Sequence, residues 1–140
     1  MQSPPGPGPS PFLTARILRL ALAASVVVYG VLAIFLRDRM PPSDLPPALF
    51  TVLHVAAGAL VLAGVWVFRR TETSLVARRR EPRQQPGPAL PAGMVAGWAL
   101  FESVGVLGLV VSLLGGTGQV LVLVSLLLIL LHPPRQEWFS

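Results

Sequence analysis

Residues Ala92–Leu114 read AGMVAGWALFESVGVLGLVVSLL, and this stretch decides how the rest of the chain is read. It is apolar throughout except for one ionisable group near its middle, Glu102. At ~1.5 Å per residue a helix of this length spans roughly 34 Å, enough to cross a ~30 Å hydrocarbon core. Glu102 then falls near the midplane. A charged side chain there costs roughly 2.5–3.5 kcal/mol on insertion scales, so the carboxyl needs a compensating partner.

Composition agrees with a membrane setting. Of 140 residues 53% are hydrophobic and only 12% charged, about half the share of charge in a soluble domain. The apolar residues lie in blocks rather than in a periodic stripe. The chain is therefore expected to be all-α, a polytopic membrane protein with four transmembrane helices arranged as two hairpins. Its net charge of +5 comes from arginine alone, and the arginines flank apolar blocks, which points to membrane orientation rather than to nucleic acid. There is no cysteine and there are two histidines, so neither thiol chemistry nor a metal site is expected. No cofactor is implied. Soluble-type catalysis is not expected either, since no phosphate-binding glycine loop and no nucleophile–base pair is present.

Taken outward from the central stretch, residues 1–14 form a proline-rich tail expected to be disordered, and 15–36 the first span. The ALAAS of residues 21–25 resembles a signal cleavage site, but the apolar run before it is short and interrupted by Arg19, so a retained helix is the reading taken. Residues 37–47 form an outer loop, 48–68 a second span and 69–91 an Arg/Pro-rich cytoplasmic loop. The third span covers 92–114, a tight glycine turn 115–118, the fourth span 119–132 and a cytoplasmic tail 133–140. Nine arginines fall on the side of the tails and central loop, among them Arg69, Arg70, Arg78, Arg79, Arg80 and Arg83. Only Arg37 and Arg39 fall on the other side. That bias predicts an inner (plasma) membrane protein with both termini cytoplasmic. The arginine loop reads either as a solvated topogenic segment or as a contact for anionic lipid or protein.

Depth along the helices sets which polar groups reach Glu102. Tyr29 and His54 fall within one or two turns of it in depth, with Ser25 and Ser103 close by, so a Glu–Tyr–His cluster is one expectation. Hydrocarbon disfavours the charged carboxylate. Glu102 then acts either as a neutral acid that exchanges a proton or ion, or as a hydrogen-bonded link between helices. Gly93, Gly97, Gly105 and Gly108 line one side of the third span, a small-residue stripe that invites close helix packing. Residues 20–36 also overlay residues 98–114, with Ser25 on Ser103 and Gly30 on Gly108. In a duplication of that kind Ala24 stands where Glu102 stands in the second copy.

The residues Ala99, Leu100, Glu102, Gly108, Leu109, Val110, Leu113 and Leu114 resemble the carboxyl-bearing helix of ATP synthase subunit c, over 17 residues. That resemblance implies ion or proton exchange at Glu102 alone. The whole layout, including LLHPPR at 130–135, is similar to a set of uncharacterised small four-span bacterial membrane proteins and implies architecture only. The function expected is that of a non-enzymatic assembly or accessory subunit, packing through small-residue faces as a homo-oligomer or with a membrane partner. The alternative is a proton- or ion-translocating unit.

Overall fold

A computed structural model describes residues 10–37, 39, 44–79, 90–136 and 139, with no side-chain placement for Arg78 and Arg79. The described residues hold four helices: α1 (Pro11–Arg37), α2 (Pro47–Arg79), α3 (Ala92–Leu113) and α4 (Gln119–Leu131). Three of them, α1, α2 and α3, are long and apolar enough to cross a bilayer. Large apolar side chains such as Val31, Val55 and Leu62 point outward, with Leu62 72% exposed, as a lipid-facing surface requires. Among the described residues the structure is all-helical, and its three long apolar helices are suited to a membrane.

Helix ends depart from the sequence expectation in three places, each for a local reason. α1 starts at Pro11, so residues 11–14 are helical and not part of a disordered tail; residues 1–9 lie outside the described set. Ser10 accepts at its hydroxyl from the Leu13 N–H (3.3 Å), and proline is at home in the first helical position. α2 runs on to Arg79, so the loop expected from Arg69 begins about three turns later. The hydrophobic span ends at Phe68, but TETSLVARR contains no glycine or proline to end the helix. The hydroxyls of Thr71, Thr73 and Ser74 bond back to carbonyls one turn earlier. α4 has 13 residues and rises about 20 Å, short of the ~30 Å hydrocarbon core, where a fourth full span was expected.

Between α3 and α4 the backbone turns on glycine. Gly115 sits at φ 84°. Its N–H donates to Ser112 O (3.1 Å) and the Gly116 N–H to Val111 O (2.8 Å), the paired bonds of a Schellman motif. Only glycine enters that region without strain. The two helices then close on each other at Gly108 and Gly118. A Cβ on Gly108 would stand 2.7 Å from Gly118 O, and one on Gly118 would run into the Gly108 carbonyl.

Contacts between helices set their directions. Arg19 meets Ile129 and Leu130, whereas Gly30 lies against Val122, so α1 and α4 are antiparallel. Phe50 lies against Gly116, Gly64 against Phe101 and Thr71 against Gly93, so α2 and α3 are antiparallel too. Trp98 meets His132 while Gly108 meets Gly118, which makes α3 and α4 a packed hairpin. The start of α1 and the chain after α4 lie at one end, where the rings of Phe12 and Phe139 touch at 5.8 Å.

The expected first hairpin is not packed. α3 touches all three other helices, while α1 and α2 make at most marginal contact with each other. α1 turns Ala15, Ala23 and Val26 into the core, and α2 turns in Ala57, Gly64 and Phe68. The core is thus arranged around α3, which buries Met94, Trp98, Phe101, Val104 and Val111. Replacing Gly118 by alanine should destabilise the fold by ~1–3 kcal/mol through overpacking of the α3–α4 turn. Gly58→Ala, where a Cβ meets nothing within 4 Å, should not destabilise it and should gain up to about 1 kcal/mol from helix propensity. Thermal unfolding in detergent, followed by helical circular dichroism, checks both.

Candidate functional site

Glu102 follows Phe101 on α3, and the ~100° step between them sends the two side chains to different neighbours. Phe101 is fully buried and stacks on Phe68 of α2, their centroids 5.6 Å apart. Glu102 is half-buried and turns to α1, where the Tyr29 hydroxyl donates to its Oε1 at 3.2 Å. Helical side chains lean toward the N-terminus, so the phenol of Tyr29 reaches back to the level of Ser25, one turn earlier. The Ser25 hydroxyl donates to Ala21 O (3.0 Å) and also stands beside the Tyr29 hydroxyl. Chemically the pair is an acid and a phenol in one hydrogen bond, able to share or pass a proton.

The other expected partners stand elsewhere. His54 is not a partner of Glu102: it is exposed on α2, and its Nδ1 pairs with Phe50 O of its own helix at 2.7 Å. The α2–α3 register explains this. Phe50 lies against Gly116 and Gly64 against Phe101, which puts His54 level with Val111–Ser112, on the order of 15 Å of helix rise from Glu102. Ser103 also points away, exposed and donating to Ala99 O (2.9 Å).

The glycines of α3 face into the protein. A Cβ at Gly93 would meet Thr71, at Gly97 the ring of Phe68, and at Gly105 the Ser125 hydroxyl (3.0 Å) and Val26 (3.2 Å). Their close approach is spent on α1, α2 and α4. A different face of α3 is left uncovered, carrying Ala92, Ala96, Ala99, Ser103 and Val106, all exposed, at alternating four- and three-residue steps. Glu102 borders that face.

Arg70 lies over the Trp66 ring at 5.2 Å, a pairing suited to a membrane interface. Arg69 is exposed beside it. Arg78 and Arg79 belong to the last turn of α2, and Arg80 and Arg83 lie outside the described residues.

A second polar site was not legible as such. Arg19, half-buried in α1, donates from Nε to Ile129 O (2.9 Å) and from Nη2 to Leu130 O (2.8 Å). Trp98 Nε1 donates to His132 O at 3.1 Å. Together they take up carbonyls that the end of α4 leaves without intrahelical donors. A helix of 13 residues stopped by Pro133-Pro134, with an arginine inside the first apolar block, was the available signal. Ser125 of α4, fully buried, makes a separate bond across the helices, donating to Phe101 O of α3 at 2.6 Å. Among the described residues no three His, Asp or Glu side chains converge as metal ligands.

No family model, no curated protein and no solved structure matches this chain.

Arg19→Met should leave two carbonyls bare, at a cost of at least ~1–3 kcal/mol for each. Hydrogen exchange of the peptide covering residues 126–132 should then speed up selectively, with exchange at the α2–α3 contacts unchanged.

Proposed function

We propose that this chain is a non-catalytic subunit of a membrane assembly, held to its neighbour through the open face of α3. The supporting observation is the spacing of Ala92, Ala96, Ala99, Ser103 and Val106, which are exposed and repeat as the seam positions of a left-handed helix pair. Small side chains on such a seam let a second backbone come close, and packing of that kind drives association where lipid offers no hydrophobic gain. The neighbour is a second copy of the chain or a helix of another membrane protein. Glu102, at the border of the seam, offers it a hydrogen-bonding carboxyl. The reading sets the chain in a bacterial plasma membrane with its arginine-rich end in the cytoplasm, the end that holds Phe12, Phe139, Arg69 and Arg135. An anionic-lipid contact of the 80–89 segment belongs to the same reading and lies outside the described residues.

Filling the seam tests the proposal. Ala96→Leu with Ala99→Leu places bulk at two exposed positions of α3, so the fold should persist while the assembly falls to monomer. Native mass spectrometry from mild detergent reads this. A wild-type chain that is monomeric and captures no partner overturns the proposal.

The second reading, a subunit-c-like proton or ion exchanger, is favoured by the bond from Tyr29 to Glu102, which joins an acid and a phenol inside an apolar bundle. Under it Glu102→Gln, which keeps shape and hydrogen bonding, should abolish proton flux into vesicles loaded with a pH-sensitive dye and leave assembly intact. Undiminished flux in that variant removes the exchanger reading.

A further inference from the structure

We infer that Arg16 and Arg19 of α1, beside the end of α4, bind the phosphate of an anionic phospholipid. The two stand one helical turn apart on α1, so their side chains leave the helix about 5–6 Å from each other. Arg19 is held in place by α4: Nε donates to Ile129 O and Nη2 to Leu130 O, and Nη1 keeps its two protons for another acceptor. Arg16 is exposed, lies over the Phe12 ring at 5.8 Å and is close enough for its charge to act on Arg19. Among the described residues neither guanidinium has a carboxylate partner, so two like charges stand together unbalanced. A phosphate shared between them relieves that repulsion, and its oxygens suit the planar donor fork of arginine.

The surroundings favour a lipid over a free anion. Leu13 and Leu20, one turn to either side of Arg16, are exposed, and so are Ile17 beside it and Leu130 and Leu131 at the end of α4. Acyl chains cover such side chains while the phosphate sits on the arginines; a soluble phosphate uses the arginines alone. Depth points the same way. α4 ends level with Arg19, and a bilayer thins against a helix too short to cross it, which brings the headgroups inward to the two guanidiniums. The rings of Phe12 and Phe139 meet at the same end of the bundle, as aromatics do at a membrane interface. None of these residues belongs to the open face of α3, so the site stands or falls apart from the assembly reading.

The experiment uses the full chain in neutral detergent, with phosphatidylglycerol or phosphatidylcholine added and the lipid retained read by native mass spectrometry. Phosphatidylglycerol should be retained at least about tenfold better, the order expected of one hydrogen bond to a charged group. Arg16→Gln removes an exposed side chain that holds no helix in place, so it should lower retention by about that factor at unchanged helicity. Arg37→Gln, at the opposite end of α1, removes the same charge and should change nothing. Glycerol phosphate, the soluble headgroup, should not displace the lipid at equal concentration. Equal retention of the two lipids overturns the inference, as does full retention by Arg16→Gln. An equal fall in Arg37→Gln overturns it too, since total charge is then the cause. Displacement by glycerol phosphate overturns the lipid as the ligand.

Discussion

The carbonyls at the end of α4 impose a condition that the rest of the structure meets. α4 is about 10 Å shorter than a hydrocarbon core, and each backbone group left bare in lipid costs several kcal/mol. The Arg19 guanidinium answers two of those carbonyls at once, and the Trp98 indole a third. An arginine inside an apolar block is itself costly, roughly 2.5–3.5 kcal/mol at a helix centre. Brought to the negative end of a helix dipole and given two acceptors, it offsets the larger deficit of α4. That pairing ties α1 to α4 and holds the two antiparallel.

The second constraint is how closely α3 is approached from three sides. Gly93 and Gly97 admit Thr71 and Phe68 of α2, Gly105 admits Ser125 and Val26, and Gly108 admits the Gly118 backbone. Each glycine is thus matched to a particular neighbour, and around them the rings of Phe68, Phe101 and His132 close the space. With α1, α2 and α4 all seated on α3, α1 and α2 have no need to touch, and the α3 face between them stays open. The stripe that reads in sequence as a surface for other chains is the surface this chain uses on itself.

Hydrophobic blocks and the glycine turn were legible because each is a local or compositional signal. Gly115 declares its turn through a backbone angle that other residues avoid. Helix ends were less so: Phe68 ends the apolar run, yet nothing in Thr71–Ala77 stops the helix, because lipid exposure and helical propensity are separate properties. Tyr29 and His54 illustrate the same limit at the site. Both stand near Glu102 in depth along an ideal helix, but depth measured from span ends ignores the stagger between helices. The α2–α3 register, fixed by Phe50 on Gly116 and Gly64 on Phe101, moves His54 about ten residues away. Arg19 shows the converse. Its place beside the first span reads as topology, and its role appears only when the short α4 is folded against it.

Glu102 and Arg19 divide the polar content of the bundle in a way that bears on function. Arg19 is committed, with two of its nitrogens bonded to fixed backbone atoms, so it holds structure. Glu102 receives one bond from a side chain, the Tyr29 phenol, and a phenol can turn away or give up its partner in a way a backbone carbonyl does not. The carboxyl also stands at the edge of the uncovered α3 face, while Ser112 and Ser125 are sealed in the core. Half-buried, bonded to a phenol among the described residues and beside an open seam, Glu102 is a group open to a neighbouring helix or an arriving proton. Both functional readings therefore converge on the Tyr29–Glu102 bond, and they differ in whether the partner that competes for it is a protein or an ion.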